Sequence, residues 1–155
     1  MPLTYTVART ERIGAPADRV YGIIRDYHQG HPSILPKQFS NMRVVKGGVG
    51  AGTTIAFDVR VLGQTQHFVA VVTEPEPGRV LVETNLEPTE SVTTFVVEPI
   101  TETESSVTIA TALSQRRGLA GRLERFVTAK VMQSLYAAEL KKLNERAAAI
   151  DGRDV

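Results

Sequence analysis

Apolar and polar side chains alternate from Leu3 to Ile13, with Leu3, Tyr5, Val7 and Ile13 on one parity and threonines between them, which predicts one long strand. Gly14-Ala15-Pro16 ends it. Pro16 pre-sets φ for a helix start, and the Asp18 carboxylate suits the positive end of a helix dipole. Val20, Ile23, Ile24 and Tyr27 then share one face at helical spacing. Between His28 and Gln38, Gly30, Pro32 and Pro36 interrupt the chain around Ile34 and Leu35, so any helix in this lid-like connector is short and broken.

Six more strands are predicted by β-favouring runs bounded by glycine or proline: Met42 to Lys46, Thr53 to Leu62, Thr65 to Thr73, and then about Val80 to Asn85, Glu90 to Glu98 and Ser106 to Ser114. Short turns between neighbours favour an antiparallel sheet. In Leu62-Gly63-Gln64-Thr65, Gly63 suits the first central position of a two-residue hairpin loop, which pairs Leu62 with Thr65. Alternation then puts Ile55, Phe57, Val59, Phe68, Ala70 and Val72 on the core face, and Asp58, Arg60 and His67 on the outer face with His67 opposite Arg60.

Beyond Gly118 the period changes. Leu119, Leu123, Val127, Val131 and Leu135 recur every four residues, joined by Phe126, Met132, Tyr136, Leu140 and Leu143, which predicts a helix of about 30 residues and about 45 Å. Arg122, Arg125, Lys130, Lys141 and Lys142 mark its wet side. Residues 1–150 form one domain in this reading, with 151–155 as a frayed tail. Strands followed by a terminal helix give an α+β class rather than alternating βαβ units.

Composition narrows the function classes. Eighteen Lys and Arg against seventeen Asp and Glu leave a net charge of +1, without the basic excess of a nucleic-acid binder. The absence of cysteine removes disulfides, thiolate metal sites and cysteine nucleophiles. No stretch approaches the ~18 apolar residues of a membrane span, and the N-terminus lacks a signal-like pattern, so a cytoplasmic protein without stable membrane insertion is expected.

Several short segments resemble the SRPBCC superfamily, which includes START lipid-transfer domains, birch-pollen-allergen-like proteins and the polyketide cyclase/dehydrase group. They are Ile13-Gly14-Ala15-Pro16-Ala17-Asp18-Arg19-Val20-Tyr21, Gly50-Ala51-Gly52-Thr53, Glu74-Pro75-Glu76-Pro77-Gly78-Arg79, Phe95-Val96-Val97-Glu98-Pro99 and the terminal Leu135 to Leu143 segment. The resemblance spans nearly the whole chain and implies a helix-grip fold: a seven-stranded curved antiparallel sheet wrapped around a long C-terminal helix, with two short helices between strands 1 and 2. It also implies binding of lipids, sterols, polyketides or other hydrophobic molecules, or, in a minority, cyclase or dehydratase activity.

A bent sheet cannot lie flush along a straight helix, and the space left between them suits an apolar ligand. The expected lining is Phe57, Val59, Phe68, Ala70 and Val72 from the hairpin, Val127, Val131 and Leu135 from the helix, and Ile24, Ile34 and Leu35 from the connector. Aromatics are only 6% of the chain and tryptophan is absent, so small side chains fill such a scaffold incompletely. The competing reading of the same residues is a solid core, as in a dimerising module.

Tyr27, His28 and His31 are the candidates for acid–base chemistry at the cavity mouth, since imidazole titrates near neutral pH. Tyr5, Tyr21, Tyr136, Thr94 and Thr111 offer hydroxyls whose direction depends on register. No Gly-x-Ser-x-Gly elbow supports a hydrolase triad. The run Gly47-Gly48-Val49-Gly50-Ala51-Gly52 lacks the Gly-Lys-Ser/Thr ending of a phosphate loop and reads as a flexible connection at a cavity rim. Arg116, Arg117, Arg122 and Arg125 form a small basic cluster at the helix entrance. The expected function is binding or transport of a small hydrophobic molecule, alternatively polyketide cyclase or dehydratase chemistry, with neither cofactor nor metal and with a homodimer as a possible assembly.

Overall fold

The computed structural model of the chain describes residues 3–87 and 90–153, with side chains as far as Ala149. The elements run β1 (Leu3–Ile13), α1 (Ala17–Arg25), α2 (Gly30–Ile34), β2 (Phe39–Lys46), β3 (Thr54–Val61), β4 (Gln64–Glu76), β5 (Val80–Glu87), β6 (Ser91–Pro99), β7 (Ser105–Gln115) and α3 (Gly118–Arg153). Seven antiparallel strands form one sheet in the order β1-β7-β6-β5-β4-β3-β2. The α1–α2 connector therefore carries the chain from one edge of the sheet to the other. This is the helix-grip arrangement.

Curvature has local causes. The pairing leaves an extra residue on β5 at Leu86, opposite the step from Val69 to Ala70, on β4 between Thr73 and Glu76, and on β2 after Ser40 and after Val44, and an unpaired extra residue kinks a strand and increases its twist. The β3–β4 turn departs from the expected one. Leu62 and Gly63 both take positive φ, 53° and 77°, so they are the two central residues of a type I′ turn, and Val61 pairs with Gln64. A shift of two residues preserves which side chains face inward but changes their partners. His67 lies across from Asp58 rather than Arg60, and its Nδ1 is 2.7 Å from Asp58 Oδ1 on the outer face.

α3 divides along its length. Leu135, Leu140, Leu143 and Ala147 are buried against β1, α1 and α2, within one core that also holds Ile13, Val20, Ile24, Ile34, Leu81, Val97 and Val107. Burying each large aliphatic side chain stabilises by roughly 1.5–3 kcal/mol, so the second half of the helix anchors the whole. Its first turns are the opposite: Leu119 is 84% exposed and Leu123 65%. The helix continues to Arg153, so the expected tail at 151–155 begins inside it, and 154–155 lie outside the described residues.

Two clasps fix the connector. The Asp26 carboxylate accepts the backbone N–H groups of His28, Gln29 and Gly30, which closes the turn between α1 and α2. Glu74 of β4 accepts hydrogen bonds from the Tyr21 hydroxyl, the Arg25 guanidinium and the Ala51 N–H. These bonds hold its carboxyl below the usual range even though burial, the largest influence, pushes the other way. The glycine run is not a loose rim: Gly50 N–H donates to Arg25 O and Tyr27 N–H to Gly48 O, which stitches it to the end of α1.

Candidate functional site

Between the concave sheet and α3 lies a cavity of about 740 Å³. Its apolar wall includes Phe39, Phe57, Val59 and Phe68 from β2 to β4, Ile109 and Leu113 from β7, and Val127, Val131 and Leu135 from α3. The opening lies between the β3–β4 turn, at Leu62 and Gln64, and the exposed first turns of α3, at Ala120, Leu123 and Glu124. The inner end is polar and deeply buried.

There the structure gathers Tyr27, His31, Glu83 and Glu139. His31, on α2, places Nδ1 2.7 Å from the Ile24 carbonyl oxygen. A carbonyl only accepts, so Nδ1 carries a proton, and Nε2 is turned to the carboxylates, 3.5 Å from Glu83 Oε1 and 3.6 Å from Glu139 Oε1. The imidazole stacks on the Tyr27 ring at 4.6 Å between centroids and meets the edge of Phe95 at 5.4 Å. The Tyr27 hydroxyl donates to Glu83 Oε1 at 2.6 Å. Burial, and secondarily the negative Glu83, push the Tyr27 hydroxyl well above its usual range.

Glu139 is 4% exposed, and burial followed by repulsion from Glu83 raises its carboxyl to about 8. A second polar track lies beside the cluster: Thr93 and Thr111 hydroxyls are 2.7 Å apart, and Thr111 in turn bonds the Tyr136 hydroxyl. Burial raises the Tyr136 hydroxyl as well. Asn85 donates to Ser91 Oγ at 2.7 Å further along the wall. Among the described residues, no group of three or more His, Asp or Glu side chains is arranged to hold a metal ion.

Leu35, Phe57, Val59, Phe68, Val127, Val131 and Leu135 all line the cavity. Ile24, Ile34, Ala70 and Val72 do not: each is fully buried in the solid core instead. The three acid–base candidates separate. His31 lies at the inner end rather than the mouth, and Tyr27 reaches the site through its bond to Glu83 and its stack on His31. His28 is exposed and packs against the glycine run, where a Cβ on Gly48 would come within 2.0 Å of its Nε2. Of the five hydroxyl candidates, Tyr136 and Thr111 face the cavity, while Tyr21 is committed to Glu74 and Tyr5 carries the Arg125 guanidinium over its ring. Thr93, not Thr94, is the inward threonine of β6.

Glu83 and Glu139 are the residues that sequence reasoning missed, and each carried a signal. Glu83 shares the parity of the buried Leu81 on β5. Glu139 falls on the apolar stripe of α3 among Leu135, Tyr136, Leu140 and Leu143.

The family described as "Polyketide cyclase / dehydrase and lipid transport" matches residues 4–148. The chain belongs to this family. Several solved structures share its fold. The KanY protein aligns with TM-score 0.83 at 23% identity, over 94% of this chain and 99% of its own. The Zhui aromatase/cyclase from Streptomyces sp. R1128 aligns with TM-score 0.78 at 18% identity, over 94% of each chain. A START superfamily protein from Mycobacterium smegmatis aligns with TM-score 0.74 at 16% identity, over 94% of this chain and 98% of its own. At these identities the likeness is one of fold. A search of curated proteins finds no match. Among the described residues, no helix is long and apolar enough to cross a membrane.

Proposed function

We propose that the protein binds, and carries between sites of use, a small hydrophobic molecule that enters past the first turns of α3 and seats a polar end on the Glu83–His31–Glu139 cluster. The observation that carries this reading is a cavity of about 740 Å³ with a largely apolar wall and a buried polar cluster, His31, Glu83 and Glu139, at its inner end. Sites of this shape and size bury most of a drug-sized ligand and use few polar groups to orient it.

Native mass spectrometry of protein purified without organic solvent, with displacement of a fluorescent fatty acid or naphthalene probe, tests the reading. Saturable binding at micromolar concentration is expected. Introducing Val59→Trp and Val131→Trp together, from opposite walls, should weaken it by about tenfold or more, roughly 1.4 kcal/mol per decade, while far-UV circular dichroism is retained. Undiminished binding in the plugged variant would place the ligand elsewhere.

One observation favours a second reading, a cyclase- or dehydratase-type enzyme. His31 Nε2 sits between two carboxyl groups, and Glu139 titrates at about 8, within the range useful to a general acid or base. Recovering a bound molecule chemically unchanged after prolonged incubation supports the carrier; accumulation of a dehydrated or cyclised product supports the enzyme.

A further inference from the structure

The inner end of the cavity has an imbalance of charge and of hydrogen-bond donors. Two carboxyl groups, Glu83 and Glu139, face one imidazole, and among the described residues no lysine or arginine lines this end. Arg116, the one lysine or arginine among the described lining residues, is at the mouth and is paired with Glu124 at 3.0 Å. Lys142, one turn after Glu139 on α3, donates its ammonium to the Leu35 carbonyl at 2.9 Å instead. The other groups facing the cluster are hydroxyls and rings: Tyr27, Tyr136, Thr111 and Phe95.

Donors are short as well. Tyr27 supplies one to Glu83 Oε1. Glu139, 4% exposed, has no hydrogen-bond donor among the described residues; its contact with His31 Nε2, at 3.6 Å, is beyond hydrogen-bond reach. A buried carboxyl left so is costly unless a proton or a partner arrives. It lines the cavity, so the partner has room to come from a ligand.

We infer that the cluster is a receptor for a protonated amine, and that the ligand class is a hydrophobic primary or secondary amine whose ammonium sits between Glu139 and Glu83. This rests on the ligand-binding reading above and narrows it. An ammonium brings the missing positive charge and up to three N–H donors to a carboxyl pair whose one hydrogen-bond donor among the described residues is the Tyr27 hydroxyl. A neutral alcohol brings one donor and no charge. A carboxylate or phosphate meets like charge in a site that excludes water, the least favourable case.

The test is isothermal titration of three probes with one aromatic body: 2-(2-naphthyl)ethylamine, 2-(2-naphthyl)ethanol and 2-naphthylacetic acid. At pH 7.5 the amine should bind about tenfold tighter than the alcohol or better, and the acid weakest of the three. Repeating the amine titration in phosphate and in Tris should reveal proton release, because seating the ammonium ionises Glu139. In Glu139→Gln the amine-to-alcohol affinity ratio should collapse to within about threefold, since the amide keeps the shape but not the charge. An alcohol or acid that matches the amine in the unsubstituted protein overturns the inference while leaving the hydrophobic binder intact. So does a ratio that Glu139→Gln leaves unchanged. If none of the three probes binds, both readings fall together.

Discussion

Glu139→Gln should make the protein more stable in alkali than the unsubstituted chain, and the gap should widen from pH 5 to pH 9. In the fold, burial and the neighbouring Glu83 hold the Glu139 carboxyl at about 8, against an ordinary value of 4.5 when the chain is unfolded. Between those two values the folded protein binds a proton that the unfolded chain has released. Stability therefore falls as pH rises through this window, and the full penalty is reached above about 8. Each unit of separation is worth about 1.4 kcal/mol, so the loss is on the order of a few kcal/mol. Glutamine keeps a neutral, nearly isosteric side chain and removes that slope. Thermal melts at pH 5, 7 and 9 check it. At pH 9 the variant should melt roughly 5–10 °C higher, given about 2–4 °C per kcal/mol for a domain of this size. Parallel curves for the two proteins would mean that Glu139 is not held protonated by the fold.

Gly30→Ala should be among the most damaging single-methyl additions in the molecule. A Cβ at Gly30 would lie 2.5 Å from the Ile23 carbonyl oxygen and 3.0 Å from its Cα, both backbone atoms of α1 that cannot swing aside. The only relief is to lift α2 away from α1, which also breaks the bond from His31 Nδ1 to Ile24 O. Overpacking and loss of a buried hydrogen bond together should cost roughly 2–4 kcal/mol, read as a melting temperature lower by about 5–15 °C. Gly22→Ala supplies the contrast, because nothing lies within 4 Å of its added Cβ and it sits in the middle of α1. That change should be neutral or stabilising by up to about 1 kcal/mol. Equal melting temperatures for the two variants would show that the α1–α2 contact is slack.

The elements were readable in the chain because each depends on local pattern: alternation gave β1 its full span, and the four-residue apolar recurrence gave α3. What failed was whatever depended on a turn's backbone or on distant neighbours. Leu62 adopts a positive φ that a leucine rarely takes, so placing Gly63 at the first central position moved the hairpin partners by two residues. Ile24 and Ile34 were correctly apolar, yet periodicity does not distinguish a side chain against another core residue from one against a void. The polar end of the cavity was hidden for a different reason. It is built from the α1–α2 turn, α2, β5 and α3, so Tyr27, His31, Glu83 and Glu139 meet only after the sheet has bent and α3 has crossed it. A charged residue in register with buried neighbours was the available clue, and it pointed to both carboxylates.

One rod with two unlike halves has a kinetic consequence. Residues 118–127 of α3 are almost wholly solvent-facing, while Leu135, Leu140, Leu143 and Ala147 are locked into the interior. Backbone amides of the first half should thus exchange with deuterium far sooner than those of the second, at a free energy well below global unfolding. For a guest held as proposed, departure should follow the fraying of a few helical turns, and substitutions at Leu119 or Leu123 should alter how long it stays without moving the melting point.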